Sequence, residues 1–228
     1  MPNPAIDAPT LDFATARGLM VDCQVRPNKV NDARVLAAMR SLPRERFVPP
    51  DRAALAYSDE DVALGGGRFL MEPMVIARLV QMAAVRDGER ALVVGAGSGY
   101  GAALLALCGA KVTALEQDPA LLAIARVVVP AVAFPVAIVE GNLADGWKAT
   151  APYDIILIEG AVPEIPAAIL AQLRADGGRL VSVLKTGARV GQAVLCASAG
   201  GGRVEPTKVF DCAVPVLPML TRAPGFVF

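Results

Sequence analysis

The stretch that most limits how this chain can fold is an apolar run that leads directly into alternating glycines. Residues 91–94 are Ala-Leu-Val-Val, and the glycine-rich segment 95–101 follows at once. A short apolar run bounded by glycine predicts a buried parallel strand, and the apolar residues 102–107 predict a helix. A glycine turn between strand and helix lets backbone N–H groups approach a small ligand closely, because no Cβ intervenes. We therefore interpret this turn as a site for a nucleotide-type ligand.

The charge and hydropathy of the chain narrow its partners and its location. The 228 residues include 22 basic and 22 acidic side chains, so no basic field favours nucleic acid or an anionic membrane surface. The most apolar run, residues 127–139, is interrupted by Pro130 and Pro135 and is too short to span a bilayer. The N-terminus has no signal-peptide pattern. We expect a cytoplasmic protein with neither nucleic acid nor membrane as a partner.

The cysteine and histidine content limits the available chemistry. The four cysteines (Cys23, Cys108, Cys196 and Cys212) are scattered and form no CxxC pair, so we expect reduced thiols and no bound metal. Histidine is absent. Catalytic systems of the Ser-His-Asp and Cys-His types are therefore excluded, as are histidine-based metal sites. Any reaction at this site has to proceed without an imidazole.

Predicted strands and helices alternate through the second half of the chain. The predicted strands are residues 91–94, 110–116, 136–140, 153–159 and 179–184; helices are predicted at 73–83, 119–129 and 166–174. An antiparallel pair, residues 192–198 and 204–216 joined by a glycine turn at 200–203, closes the sheet. This order predicts an α/β fold with a doubly wound, mostly parallel Rossmann-like sheet.

The N-terminal part of the chain does not show this alternation of strands and helices. Residues 1–72 are predicted to form an N-terminal helical cap, with a loose start over residues 1–19 and a helix capped by Asn31 or Asp32. Residues 73–228 are predicted to form the ligand-binding domain as one compact unit.

An acidic residue and the glycine spacing indicate which ligand is bound. Glu116 ends the second predicted strand, 21 residues after Gly95, where a carboxylate can accept both ribose hydroxyls of an adenosine ligand. A G-x-G-x-x-G register starting at Gly97 would suit a dinucleotide but leaves Gly95 unexplained. The G-x-G-x-G register of residues 95–99 looks like motif I of S-adenosylmethionine-dependent methyltransferases. We favour S-adenosylmethionine over a nicotinamide dinucleotide.

Further contacts are predicted at the ends of the later strands. The loop after the third strand carries Asn142, whose side-chain oxygen can accept a hydrogen bond from an adenine amino group. Glu159 ends the fourth predicted strand; it either touches the methionine end of the ligand or the substrate, or it pairs with a cation. The predicted cofactor-binding residues are Gly95, Ala96, Gly97, Ser98, Gly99, Glu116, Gln117, Asn142, Leu143 and Glu159.

The sequence resembles the protein-L-isoaspartate O-methyltransferases over roughly residues 20–217. The segments that carry the resemblance are residues 32–39, 42–49, 95–101, 152–154, 161–166 and 177–181. The resemblance implies transfer of a methyl group from S-adenosylmethionine to the α-carboxylate of L-isoaspartyl residues in damaged proteins, with S-adenosylhomocysteine as product. It therefore implies a protein or peptide as the partner; a small molecule takes that place if the family function does not hold.

That chemistry suits a chain without histidine. The substrate carboxylate is already ionised and is itself the nucleophile, while the sulfonium is a good leaving group. An enzyme of this kind mainly has to align the two and exclude water, and no general base is required.

One segment departs from the family pattern. The family's active-site segment reads G-H-G-Q-T-I-S-x-P, and residues 65–73 align with it. Arg68 stands at the Gln position, Phe69 at the Thr position and Met71 at the Ser position. The catalytic residues of the family therefore do not carry over, and no catalytic residue is assigned.

The same three side chains are candidates for a substrate pocket. Arg68 either binds a carboxylate through its guanidinium or lies on the surface in a glycine-rich loop. Two alternatives stay open from the sequence: a methyltransferase that acts on another substrate, and a non-catalytic cofactor-binding or regulatory protein with the same fold.

Overall fold

The computed structural model describes residues 12–133, 135–187, 189–200 and 204–220. The first eleven residues of the predicted loose start, and residues 201–203 of the predicted glycine turn, lie outside these ranges. The strands are β1 (Val62–Gly65), β2 (Arg68–Leu70), β3 (Arg90–Val94), β4 (Lys111–Glu116), β5 (Val136–Glu140), β6 (Ile155–Val162), β7 (Asp176–Leu184), β8 (Gly191–Ala199) and β9 (Thr207–Cys212).

Within the described residues, two α-helices precede β1, and the other four lie between β2 and β7. They are α1 (Phe13–Met20), α2 (Ala33–Ser41), α3 (Pro73–Ala83), α4 (Tyr100–Leu107), α5 (Pro119–Val132) and α6 (Ala167–Leu170). Shorter helical segments are a π-helical turn at Val21–Val25 and 3₁₀ turns at Arg26–Asn28, Arg44–Phe47, Pro50–Leu55, Leu143–Asp145, Lys148–Thr150 and Pro218–Leu220.

The central sheet has seven strands in the order β5-β4-β3-β6-β7-β8-β9. The pairs from β5 to β7 are parallel, and β8 and β9 add antiparallel pairs at one edge. The predicted doubly wound, mostly parallel sheet with its closing antiparallel pair is therefore confirmed. The strand order reverses on either side of β3, which opens a crevice beyond the carboxyl ends of the strands.

The central strands consist of apolar runs because both faces of the sheet are buried at these strands. All eight residues of β6 are buried, and residues 91–94 of β3 have no exposed surface. Helix α4 is apolar around most of its circumference because it packs between the sheet and the N-terminal helices; only Leu107 at its end is exposed. The glycine turn thus joins two elements that are rigidly held in the core.

The N-terminal section contains more regular structure than the sequence predicts. Helix α1 begins at Phe13, inside the stretch expected to be loose, because the Asp12 carboxylate caps it by accepting from Ala14 N. Asp32 caps α2 as predicted, accepting from Arg34 N at 2.8 Å. The antiparallel hairpin of β1 and β2 was not predicted. Side chains from both sides of residue 72 share one apolar core, and the proposed domain boundary there stays a prediction.

Several predicted elements differ in length: the last strand, predicted over residues 204–216, is only β9, and β7 begins three residues earlier than the predicted 179–184. The fourth predicted strand, expected to end at residue 159, continues to Val162. The helix predicted over residues 166–174 is only α6, four residues long, because the chain then turns and Leu173 pairs with Tyr153 in an isolated parallel bridge. Within the described ranges, no helix is both long enough and apolar enough to cross a membrane.

Candidate active site

The glycine turn lies at the carboxyl end of β3, where the strand order reverses. Gly95, Gly97 and Gly99 all have positive φ, at 73°, 58° and 97°, a backbone conformation that favours glycine. The amides of Gly95 and Ala96 both donate to the Leu115 carbonyl of β4, at 3.0 and 3.1 Å. The turn is therefore fixed to the neighbouring strand before any ligand is considered.

The carboxylate of Glu116 is fully buried beside this turn. Its Oε2 accepts from Gly97 N at 2.7 Å. Its Oε1 accepts from the amides of Gln117 and Asp118, at 2.8 and 3.0 Å, and from Arg68 Nη1 at 2.8 Å. The residue predicted to hold ribose hydroxyls thus sits where the prediction expects it, and four donors within the chain already bind its oxygens.

Arg68 lies on β2, and its side chain extends into the crevice. It is only 3% exposed, so the solvated surface position that the sequence left open is excluded. Besides the ion pair with Glu116, its Nη2 donates to the Gly95 carbonyl at 2.8 Å. The guanidinium therefore bridges the first glycine of the turn and the strand-end carboxylate.

A second side chain covers the turn from the C-terminal segment. A Cβ placed on Gly95 would lie 3.2 Å from Leu217 Cδ1 and 3.3 Å from Arg68 Nη2. A cavity of about 10 Å³, room for about one water molecule, borders both Arg68 and Leu217; neither the turn of residues 95–99 nor Glu116 lines it. Arg68, Phe69, Met71 and Glu159 line it, so the three candidate pocket residues and one candidate cofactor residue do meet there.

The predicted adenine side is built by two loops in contact. The Gln117 side-chain oxygen accepts from Leu143 N at 3.2 Å, which links the loops that follow β4 and β5. Asn142 is exposed, and its side-chain oxygen accepts from Ala144 N at 2.9 Å as the cap of a 3₁₀ turn. The structure thus brings these three residues together at the end of the sheet, next to Glu116.

Two of the predicted residues carry buried polar atoms that lack a hydrogen-bond partner in the part of the chain that is described. These atoms are the Ser98 hydroxyl and Glu159 Oε2. Burial raises the pKa of Glu159 to about 8, and the Arg68 guanidinium opposes this shift. Glu159 packs so closely on α4 that a Cβ on Gly101 would lie 2.5 Å from its Oε2.

A buried arginine holds the substrate-side segment in place, and sequence reasoning did not single it out for a role. The Arg44 guanidinium is fully buried, lies over the Tyr100 ring at 4.8 Å, and donates to the carbonyls of Ala56 and Met71. Its sequence signal is its place in the segment 42–49 that carries the family resemblance. Leu217 had no such signal, because its role depends on where the chain returns after β9.

Whether these residues fit an adenosyl ligand depends on which part of the site is considered. We call the glycine turn of residues 95–99, Glu116 and the loop at Asn142 together the cradle. Its main-chain amides, carboxylate and side-chain amide have the chemistry that such a ligand requires. The position in front of Glu116 is occupied by the Arg68 guanidinium, 2.8 Å from Oε1, and Leu217 Cδ1 lies 3.2 Å from the Cβ position of Gly95. The cradle therefore fits the ligand only if Arg68 and Leu217 are displaced.

Solved structures share this fold. One protein-L-isoaspartate O-methyltransferase matches with a TM-score of 0.75 and 21% identity, over 92% of this chain and 67% of that chain. A second, from Plasmodium falciparum and in complex with S-adenosyl-L-homocysteine, matches with a TM-score of 0.73 and 18% identity, over 90% and 98% of the two chains. At these identities the likeness shows the fold, which is the Rossmann-like methyltransferase class.

Sequence comparison gives the family. Residues 18–213 match the family model described as Protein-L-isoaspartate(D-aspartate) O-methyltransferase (PCMT). A protein-L-isoaspartate O-methyltransferase from Koribacter versatilis is 35% identical over 207 residues, 90% of this chain and 92% of that relative. Another, from Methylorubrum extorquens, is 40% identical over 180 residues, 79% of each chain. The chain belongs to the protein-L-isoaspartate O-methyltransferase family, and the resemblance found in the sequence is confirmed.

Proposed function

We propose that this chain is an S-adenosylmethionine-dependent O-methyltransferase whose acceptor is a carboxylate of a protein or peptide. The observation that carries the proposal is the turn of residues 95–99, fixed at the switch point of the sheet with Gly97 N bonded to the buried Glu116. This is the arrangement that an adenosine ligand needs. Membership of the family supports methyl transfer to a carboxylate.

The residues of this chain take distinct parts in such a reaction. Gly95 and Gly97 would leave room for the ligand, Glu116 would accept its ribose hydroxyls, and Asn142 would face its adenine. Gly99 instead allows α5 to pack closely, since a Cβ there would lie 2.4 Å from Val129 Cγ2. S-adenosylmethionine supplies an electrophilic methyl group, so an ionised carboxylate needs no base from the protein. The buried walls around Glu159 would exclude water from the reacting groups.

The acceptor side of the site, where the substrate carboxylate would bind near Phe69 and Met71, determines the rate of methyl transfer that we expect with the family's substrate. Phe69 and Met71 stand where the family pattern has hydroxyl side chains, and neither can hydrogen-bond a carboxylate. Loss of one such donor typically lowers kcat by roughly 100-fold or more. With an isoaspartyl peptide and labelled cofactor, we expect slow transfer, and Phe69→Thr with Met71→Ser should raise it. Turnover equal to that of a relative with both hydroxyls would contradict this account of the acceptor side.

Cofactor binding can be tested by substituting two glutamates that lie at the ends of neighbouring strands. Glu116 and Glu140 are register partners in β4 and β5, but Glu140 is exposed and pairs with Arg126 at the surface. In a calorimetric titration with S-adenosylhomocysteine, Glu116→Gln should abolish binding and Glu140→Gln should leave it unchanged. Absence of binding at millimolar ligand, in the wild type and in variants that open the site, would overturn the proposed function.

The cytoplasm is the proposed location. All four cysteines are free thiols, three of them buried, as is usual in a reducing compartment. Cell fractionation with antibody detection would test this, and recovery of the chain outside the cytoplasm would contradict it.

A further inference from the structure

The position expected for the ribose of the cofactor is filled by a side chain of the protein itself. Arg68 places one guanidinium nitrogen 2.8 Å from Glu116 Oε1 and another 2.8 Å from the carbonyl of Gly95. Both acceptors belong to the predicted cradle, and both partners of the ion pair are almost fully buried, at 3% and 1% side-chain exposure. The guanidinium therefore occupies the donor position that ribose hydroxyls would take.

Leu217 fills the adjoining space, and the backbone around it is anchored. Its amide donates to the Ala161 carbonyl at 2.8 Å, and Ala161 N donates to the Pro215 carbonyl at 3.0 Å, in a parallel bridge to β6. The leucine rests against Gly160, where a Cβ would lie 2.3 Å from Leu217 Cγ. The C-terminal segment thus adds one more strand-like contact across the mouth of the crevice.

These two side chains and an adenosyl ligand cannot occupy the same space. The guanidinium bonds both Glu116 Oε1 and the Gly95 carbonyl, and Leu217 Cδ1 lies 3.2 Å from the Cβ position of Gly95. Resting on the function proposed above, we propose that Arg68 is an internal competitor of the cofactor, and that Leu217 assists it by covering the turn. Affinity for the cofactor is then set by the free energy of withdrawing the guanidinium from Glu116 and Gly95.

The chain around Arg68 permits this withdrawal. The three residues before it are Gly65, Gly66 and Gly67, with φ values of 103°, 57° and 73°, so the turn of the hairpin is built from residues with wide conformational freedom. A withdrawn guanidinium regains water. Glu116 keeps its three main-chain amide donors and gains the ribose hydroxyls in place of Arg68. The exchange therefore leaves no carboxylate oxygen without a donor.

The direct test compares binding of S-adenosylhomocysteine to the wild type and to Arg68→Gln, which has the amide found at this position of the family pattern. We expect the variant to bind at least about tenfold more tightly, about 1.4 kcal/mol. Arg68→Lys, which keeps the charge but loses the two-pronged geometry, should fall between them. Circular dichroism and thermal unfolding confirm that each variant is folded.

The matched control is an arginine that contacts the same hairpin from outside the site. Arg52 Nη1 donates to the Ala63 carbonyl of β1 at 3.0 Å. Arg52→Gln should leave the affinity unchanged. An affinity of Arg68→Gln equal to or weaker than that of the wild type would overturn the competition, while saturable binding to both would leave the proposed function standing.

Failure of the proposed function gives a different result. If neither the wild type, nor Arg68→Gln, nor the double variant with Leu217→Ala binds at millimolar ligand, both the proposed function and the competition fall. Tighter binding by the double variant than by Arg68→Gln alone supports the part assigned to Leu217, and equal binding overturns that part.

Discussion

Two glutamates, Glu116 and Glu159, lie at equivalent positions on either side of the central strand β3, but their carboxylates differ in the hydrogen-bond donors that reach them. Leu115 and Ile158 are both in register with Val94, so Glu116 and Glu159 each lie one residue further along, on either side of the glycine turn. Glu116 receives four donors and is paired with Arg68, whereas Glu159 Oε2 has no partner among the described residues and burial raises its pKa to about 8. Sheet register therefore fixes where each carboxylate lies, and the surrounding segments decide which hydrogen-bond donors it meets.

The largest expected effect comes from breaking the ion pair on one side only. Arg68→Met leaves the Glu116 carboxylate buried without its cation, and removal of one partner of such a pair typically costs about 3–5 kcal/mol of unfolding free energy. Urea unfolding would measure it. Adding Glu116→Gln to Arg68→Met should recover a large part of the loss. Additive losses in the double variant would contradict a direct pair.

The next effect concerns pH and the other glutamate. The folded-state pKa of Glu159 lies above its unfolded value, so the native chain keeps a proton that the unfolded chain releases. Stability should then fall as pH rises from about 5 to about 8, by up to about 1.4 kcal/mol per unit, and level off above. In urea unfolding at pH 5, 7 and 9, Glu159→Gln should remove the fall in stability above pH 7 and lessen the fall below it, where Glu72 also contributes.

The control for that slope is another glutamate with a raised pKa. Burial raises the pKa of Glu72 to about 7, so it contributes in the same direction, over a narrower range. Glu72→Gln should make the fall below about pH 7 less steep and leave the fall between pH 7 and 8 unchanged. An unchanged slope in Glu159→Gln would mean that this carboxyl is ionised in the native state.

A smaller effect tests the close packing of Glu159 on α4. Gly101→Ala would place a methyl group 2.5 Å from Glu159 Oε2 and 2.9 Å from its Cδ, so the side chain has to shift. We expect a loss of about 1–3 kcal/mol, as for other overpacked cores, read from thermal or urea unfolding. A neutral result would show that Glu159 has room to move away from the helix.

The smallest effect is expected for the same substitution, glycine to alanine, at a helical position with free space around it. Nothing lies within 4 Å of a Cβ placed on Gly18 in α1. Gly18→Ala should therefore stabilise the protein, by about 0.5–1 kcal/mol. A loss of stability in the same unfolding measurement would contradict the open space around this residue.

The sequence predicts the positions of the glycine turn and of the strand-end acid well, because both depend on local pattern. The strand before Gly95, the turn itself and the acid 21 residues later all follow from apolar periodicity and glycine spacing. The parallel sheet follows from the alternation of strands and helices. These features need no knowledge of distant segments.

The acceptor side was less predictable because it depends on contacts between distant parts of the chain. Arg68 and Glu116 are 48 residues apart, and no local pattern tells a buried arginine in a glycine-rich hairpin from a solvated one. The helix expected over residues 166–174 stops early for a similar reason. The Gln172 amide donates to the Asp145 carbonyl at 2.7 Å and its oxygen accepts from Trp147 N at 2.8 Å, contacts that a sequence pattern does not display.

The placement of the single tryptophan gives the chain an optical probe of its own. Trp147 is half-buried against Gly141, whose Cβ position lies 3.4 Å from its ring, and Gly141 directly precedes the predicted adenine residue Asn142. The tryptophan fluorescence of the protein therefore comes from one indole beside the cradle. Its emission should report arrival of an adenosyl ligand in real time, without a label, and so give the rate at which the site opens.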